Sequence, residues 1–364
     1  MRSQNFIMQR VFMPVGQGAF YIEKFNDGFT VVYDCGSYKN TSIVEENIEN
    51  SILDKKIDLL VISHYHEDHI NGLEYLFNKF DIKRMLMPYL DLTEKKESFI
   101  DADIKNSSND FYKDFCVDPN EVLSRKFGKS SEIIFVYPEQ NPPASPNEID
   151  IQNLNDNINS GDKITYKNKI NDYTWSYIPF NFQNTSRTKQ FEKLTEHLNL
   201  DTIDEFKDYY IQNKDDFIKI YKKDMVGDIN TNSLVLYSGV YSNIQTTAYS
   251  RKKSFSFIQN ISGCLYLGDY DVKGSQKMKE FDEKYKSFYK EISTIQIPHH
   301  GSKHNYNQRL NFKPNIISVI SAGINNKFEH PHNETLKQIA IQNGIVILVT
   351  EEEETKLTQS IYIR

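Results

Sequence analysis

The stretch His64-Tyr65-His66-Glu67-Asp68-His69 constrains this chain more than any other. It places three of the nine histidines and a carboxylate within six residues of a 364-residue sequence. Just upstream, Ile57-Asp58-Leu59-Leu60-Val61-Ile62 is apolar and β-branched and reads as a short buried strand. Where a strand stops the backbone turns, so near neighbours can point into one pocket. His64 and His66, two apart, can face the same side, and Asp68 and His69 can turn toward a second point close by. Imidazole and carboxylate are the ligands of zinc, manganese and iron. Two such clusters side by side point to a two-metal site, in which the metals lie about 3.5–4 Å apart and share a bridging oxygen.

These residues resemble the HxHxDH motif of the metallo-β-lactamase superfamily, and Asn71-Gly72 resembles the small polar pair that follows it. The resemblance implies an α/β fold, the four-layer αββα sandwich, with two mixed sheets inside, helices outside and the site at one edge. It leaves the substrate open, because one fold hosts lactamases, thioesterases, nucleases and phosphodiesterases. Val15-Gly16-Gln17-Gly18 with Asp34-Cys35-Gly36 narrows it, since these look like the opening of the hydrolase domain of the competence (DNA-uptake) protein family. In that comparison Asp34 orients the metal-site loop rather than binding metal. Ala19 stands where many relatives have Asp.

Along the chain, strands are expected at Phe6–Met13, Ala19–Phe25 and Phe29–Asp34, with a hairpin turn at Asn26-Asp27-Gly28. A helix is expected over residues 40–52, another opens at Ile70, and Ile82–Pro88 is a strand. From about 91 to 227 the family's pattern is interrupted by a stretch too long for an ordinary loop. We therefore expect a single domain over 1–364, with a core of about 1–90 and 228–364 and a mixed insertion of about 91–227. Within that insertion, helices are expected at Ser107–Phe115 and Asn120–Phe127, a strand at Ile133–Tyr137 and a break at Asn141–Pro146. A hairpin around Asn171-Asp172 and charged helices at Thr188–Leu198 and Ile203–Lys223 follow. The helices mix both charge signs, the pattern of a solvated face. The insertion is the expected lid or protein-partner surface.

The later strands, Asn232–Tyr237, Cys264–Asp269, Thr294–Ile297 and Ile316–Ile320, carry further site residues at their ends. Leu267-Gly268-Asp269 looks like the superfamily's strand-end Asp that bridges two metals. Pro298-His299-His300-Gly301-Ser302 resembles the HHGS motif of the competence-type hydrolases, and His330-Pro331-His332 their closing histidine motif. The resemblance assigns His64, His66, Asp68, His69, Asp269 and His300 to two divalent ions, zinc or manganese. Asn232-Ser233 stands where most lactamase-like members have a further histidine, so one metal would have fewer protein ligands.

In the implied mechanism a metal-activated water attacks phosphorus, with Asp68 holding both a metal and the nucleophile. His299 or His330 supplies the leaving-group proton, and Asn232, Ser302 and Lys303 contact the phosphate. The expected function is a phosphodiesterase, with DNA or RNA the leading substrate. Hydrolysis of a small phosphodiester or other ester, and a regulatory module that binds metal without turnover, are the alternatives.

A net charge of −7 gives no sign of avid non-specific nucleic-acid binding, and metals can supply the positive charge that a phosphate meets. No signal peptide and no membrane-spanning stretch is expected. Three scattered cysteines, Cys35, Cys116 and Cys264, argue against a disulfide framework and for a reducing cytoplasm.

Overall fold

A computed structural model describes residues 6–38, 41–105, 110–128, 131–139, 145–170, 172–182, 185–225, 233–241, 244–253 and 255–364. Asn232, the break at Asn141–Ala144, the start of the helix expected from Ser107 and the hairpin residue Asn171 lie outside the described residues. The strands are β1 (Phe6–Phe12), β2 (Phe20–Phe25), β3 (Thr30–Cys35), β4 (Lys56–Ile57), β5 (Leu59–Val61), β6 (Asp81–Ile82), β7 (Arg84–Pro88), β8 (Glu132–Tyr137), β9 (Glu148–Asp150) and β10 (Ile158–Asn159). They continue as β11 (Lys163–Lys167), β12 (Thr174–Asn181), β13 (Leu234–Val240), β14 (Thr246–Lys252), β15 (Phe255–Gln259), β16 (Gly263–Tyr266), β17 (Ile292–Gln296), β18 (Ile317–Ser321), β19 (Ile345–Val349) and β20 (Leu357–Ile363).

Two large sheets result. The first runs β10-β8-β7-β5-β3-β2-β1-β20-β14-β15 and the second β19-β18-β17-β16-β13-β12-β11-β9. In the first, β10, β8, β7, β5 and β3 are parallel and the remainder antiparallel. In the second, β16 to β19 are parallel and β16, β13, β12 and β11 antiparallel. The central parallel strands β3, β5, β7, β16, β17 and β18 are buried on both faces, as helical crossovers demand. Strand β3 shows this: Val31 and Tyr33 point between the sheets, whereas Val32 and Cys35 pack under the outer helices.

The layers follow from those faces. Between the sheets, Tyr21, Tyr33 and Val61 meet Trp175, Leu236 and Tyr266, with the Tyr33 and Tyr266 rings stacked 4.9 Å apart. Outside the first sheet, helices Thr41–Ser51 and Leu73–Lys79 bury Val44, Ile48, Leu73 and Leu76. Outside the second, helices Ser275–Tyr285 and Asn333–Ile341 bury Met278, Phe281 and Ile339. This is the four-layer αββα sandwich expected from the sequence.

Residues 91–227 divide between two roles. They extend both sheets with β8 to β12, and they build a lobe in which helices Leu92–Lys105, Thr185–Thr195, Ile203–Gln212 and Lys214–Asp224 pack around Phe99, Phe191, Phe206 and Tyr210. The helix expected over 203–223 is two helices, because the chain leaves helical geometry at Asn213 (φ −118°, ψ 18°). The hairpin β14–β15, helix Asn333–Ile341 and strand β19 were not anticipated.

One polar cluster crosses the apolar space between the sheets. Arg10 Nε donates to Glu23 Oε1 at 2.8 Å, and both residues are buried. Glu23 also accepts from Ser238 Oγ, Tyr177 OH and Tyr266 OH of the opposite sheet, at 2.8–3.0 Å. The carboxylate is thus held from both sheets and fixes their alignment. Removing one member of a buried, hydrogen-bonded pair strands the other charge and costs about 3–5 kcal/mol. Arg10→Met should therefore lower unfolding free energy by about that amount in urea denaturation, and Arg10→Met with Glu23→Leu should recover part of it.

Candidate metal centre

The site forms where β3, β5, β16 and β17 end. After β5 the chain passes through Ser63 to His64, and the short helical turn Glu67–Ile70 then carries Asp68 and His69. One buried carboxylate organises this segment. Asp34, at φ 53°, accepts from Ser63 N and Ser63 Oγ at 2.7 Å and from His69 Nδ1 at 2.8 Å. Ser63 Oγ–H is thereby committed to Asp34, so its lone pairs face His64 Nδ1 at 2.9 Å. The network makes Nδ1 of His64 the protonated nitrogen and leaves Nε2 with a lone pair. That Nε2 is buried, makes no hydrogen bond among the described residues and lies 3.8 Å from Asp269 Oδ2.

Asp269 enters from the second sheet. Strand β16 stops at Tyr266, and Gln296 Oε1 then takes the N–H groups of Leu267 and Gly268 at 2.7 and 2.8 Å. Gly268 is at φ 53°, where an added Cβ would lie 2.7 Å from Ser63 Cβ, so only glycine lets the two loops meet. Asp269 N donates to Ser233 Oγ, and its carboxylate reaches to 3.3 Å from His69 Nε2. After β17, His299 and His300 both sit in the left-handed region, at φ 48° and 54°. Non-glycine residues pay of order 1–3 kcal/mol for such conformations, which cluster at functional sites. His300 Nδ1–H donates to Ser321 O at 2.8 Å, which aims Nε2 at Asp68 Oδ2, 3.1 Å away.

Two three-donor groups result, His64–His66–Asp269 and Asp68–His69–His300, the donor atoms of each lying within 4.8 Å of one another. The residues fit a pair of divalent cations. His64 offers a buried, unused lone pair, and two imidazole–carboxylate sets of borderline and hard donors face a common point. His66 Nε2 lies 2.9 Å from Asp101 Oδ2. His299 Nε2 lies 3.9 Å from Asp269 Oδ2.

Charges in the cluster are shared. Burial holds His64 well below the usual imidazole range, and neighbouring His69 adds to this. Burial also presses on His69, yet the Asp269 and Asp34 carboxylates outweigh it and hold His69 well above that range. His300 is raised, because the hydrogen bond to Asp68 and the Asp269 charge overcome its burial. Asp68 and Asp269 are lowered in spite of burial, by His300 for the first and by His299 and His69 for the second. Burial, then the nearby His300 and His299, push His330 down to about 3.

A cleft of about 420 Å³ opens over this cluster, lined by His66, Asp68, Asp269, His299, His300 and His330. Gln17, Tyr38, Glu67, Lys327 and Phe328 complete its wall. Tyr38 and Phe328 are exposed, with rings 5.3 Å apart, and the Lys327 ammonium lies against both. Gln17 Nε2 donates to His330 Nδ1 at 3.3 Å.

Two residues expected at the substrate do not line this cleft. Ser302 is buried, its N–H donating to His299 O and its Oγ accepting from His304 N, so it builds the turn. Lys303 donates its N–H to His332 Nδ1, and both lie outside the lining. Conversely, Tyr38, Lys327, Phe328 and Asp101 were not anticipated at the site. Their residue types are common, and they come from distant segments.

Gly36 packs against the ligand-bearing turn, where an added Cβ would lie 2.5 Å from Asp68 C and 2.6 Å from His69 N. Gly36→Ala should cost about 1–3 kcal/mol of stability by overpacking. It should also lower bound metal, read by denaturation and elemental analysis.

Solved structures resemble this fold at low identity. A metallo-beta-lactamase fold protein from Bacillus subtilis, YhfI, aligns at 10% identity and TM-score 0.40, over 94% of this chain and 97% of that one. A long form RNase Z from yeast aligns at 13% identity and TM-score 0.36, over 86% of this chain and 36% of that one. A CmlA beta-hydroxylase aligns at 10% identity and TM-score 0.41, over 98% of this chain and 54% of that one. No curated protein matches the sequence. Residues 14–143, which hold the complete histidine motif, match the family model of the Metallo-beta-lactamase superfamily.

Proposed function

We propose that this protein is a metal-dependent phosphodiesterase whose preferred substrate is a nucleic acid. The observation that carries the reading is two three-donor groups opening on one cleft. His64, His66 and Asp269 would hold one cation, and Asp68, His69 and His300 the other. When bound, such a pair supplies a nucleophile at neutral pH and offsets the charge of the group being transferred.

The chain's own residues divide the remaining work. Lys327, on the cleft wall beside exposed Tyr38 and Phe328, meets a phosphate oxygen while the rings offer a face to a base. His330, held neutral at pH 7, accepts from Gln17 at Nδ1 and so presents Nε2–H as a hydrogen-bond donor to substrate. That leaves His299, beside Asp269, to deliver the leaving-group proton. The likeness of Pro298–Ser302 to the HHGS motif of competence-type hydrolases favours a polynucleotide. A cleft of about 420 Å³ favours, as the second reading, a small phosphodiester of about one nucleotide.

Among the described residues no helix is long and apolar enough to cross a membrane. Cys35, Cys116 and Cys264 are buried free thiols, in keeping with a reducing compartment such as the cytoplasm.

The test is hydrolysis of labelled single- and double-stranded DNA and RNA beside bis-p-nitrophenyl phosphate, with zinc or manganese. Wild type should cleave a polymer, and Asp269→Ala should lose more than about a hundredfold in rate. Turnover of the small ester alone selects the second reading. Bound metal with no turnover of any substrate rejects both, leaving a non-catalytic metal-binding module.

A further inference from the structure

Asp101 sits on helix Leu92–Lys105, more than thirty positions beyond the histidine motif and outside the strands that carry it, yet its Oδ2 lies 2.9 Å from His66 Nε2. Both side chains are largely buried, at 14% and 12% exposure. An imidazole has two nitrogens, and whichever carries the proton decides which can bind a cation. A carboxylate at 2.9 Å takes Nε2 as a hydrogen-bond donor and leaves Nδ1 as the lone-pair nitrogen. We propose that Asp101 is a positioning residue that fixes the tautomer and ring orientation of His66 and so completes the His64–His66–Asp269 site from the helical lobe. The inference rests on His66 being a ligand, as in the functional reading above.

The surroundings of Asp101 supply the rigidity such a role needs. Asp91 and Glu94 cap the start of its helix reciprocally, each backbone N–H donating to the other's side chain at 3.0 and 2.8 Å. Glu97, one turn before Asp101, pairs with Arg187 at 2.5 Å, and both are buried. Asp103 accepts from Tyr210 OH at 2.8 Å and lies 2.7 Å from Lys214 Nζ and 3.2 Å from Lys113 Nζ. The acidic residues on either side of Asp101 thus anchor the helix to the lobe, while Asp101 turns to the site. Carboxylate partners of ligating histidines hold the ring in place and raise its basicity, and their loss typically costs 10–100-fold in metal affinity.

The experiment is zinc affinity by competition with a chromophoric chelator, together with the electronic spectrum of the cobalt(II)-loaded protein. It uses the whole chain as wild type, Asp101→Ala, Asp101→Asn, Asp101→Glu and His66→Ala, with circular dichroism to monitor folding. Asp101→Ala should weaken one of two binding steps about 10–100-fold and shift the cobalt bands of that site, leaving the other step unchanged. Asp101→Asn, which can still accept from Nε2–H, should weaken it less, and Asp101→Glu should recover part of the loss. Should Asp101→Ala unfold, the isosteric Asp101→Asn carries the comparison. Wild-type affinity and spectrum in both Asp101→Ala and Asp101→Asn, with one site lost in His66→Ala, overturns the positioning role alone. Two intact sites in His66→Ala overturn the ligand assignment as well.

Discussion

A single buried carboxylate, Asp34, holds the site together. With its side chain removed from water, burial alone raises its pKa, and an unsatisfied charge there would be prohibitive. Three donors offset that cost: Ser63 N–H, Ser63 O–H and His69 Nδ1. Each is also a positioning contact. The first pins the chain as it leaves β5, the second sets the tautomer of His64 through Ser63 Oγ, and the third orients His69 toward Asp269. One anion therefore sets two imidazoles, and its own left-handed backbone at φ 53° is retained because the contacts over-determine it.

That local order depends on two sheets meeting in a fixed register. His64 to His69 follow β5 in the first sheet, whereas Asp269 and His300 follow β16 and β17 in the second. These are the carboxyl ends of parallel strands, where open α/β sheets place their ligands. A slip of one sheet over the other would separate Asp269 from His69 while leaving each sheet intact. The Arg10–Glu23 cluster and the Tyr21–Tyr33–Tyr266 stack oppose that slip, one by directional hydrogen bonds across the interface and the other by shape.

The sequence showed the ligand-type residues because metal coordination demands particular side chains beside strand ends, and buried strands are visible as β-branched runs. Where a side chain's place depends on backbone direction, residue type alone says less. Ser302 and Lys303 follow a histidine pair and have phosphate-binding chemistry. The left-handed run His299-His300-Gly301, at φ 48°, 54° and 82°, instead turns Ser302 into the fold. The hairpin β14–β15 escaped notice because β14 buries Thr246, Ala248 and Ser250, small or polar residues that give no hydrophobic alternation. Asp101 was invisible for another reason. Helix Leu92–Lys105 carries Glu94, Glu97, Asp101 and Asp103, and only tertiary structure assigns a different partner to each.

Under the proposed function, the charge distribution would tie substrate binding to cation binding. The cleft wall brings Glu67, Asp68 and Asp269 together against Lys327, in a chain of net charge −7. A phosphodiester approaching these carboxylates alone is repelled, since like charges close together in a partly desolvated cleft cannot screen one another as they would in water. The raised pKa values of His69 and His300 are the response of imidazoles to Asp34, Asp68 and Asp269. A proton placed on either histidine would occupy a nitrogen that cation coordination would need, so the two would compete. If the proposed function holds, affinity for an anionic substrate would therefore belong to the cation-loaded site as a whole. Under the proposed function, Lys327 and the Tyr38–Phe328 pair would select among anions and their attached groups, and bound cations would supply the overall attraction.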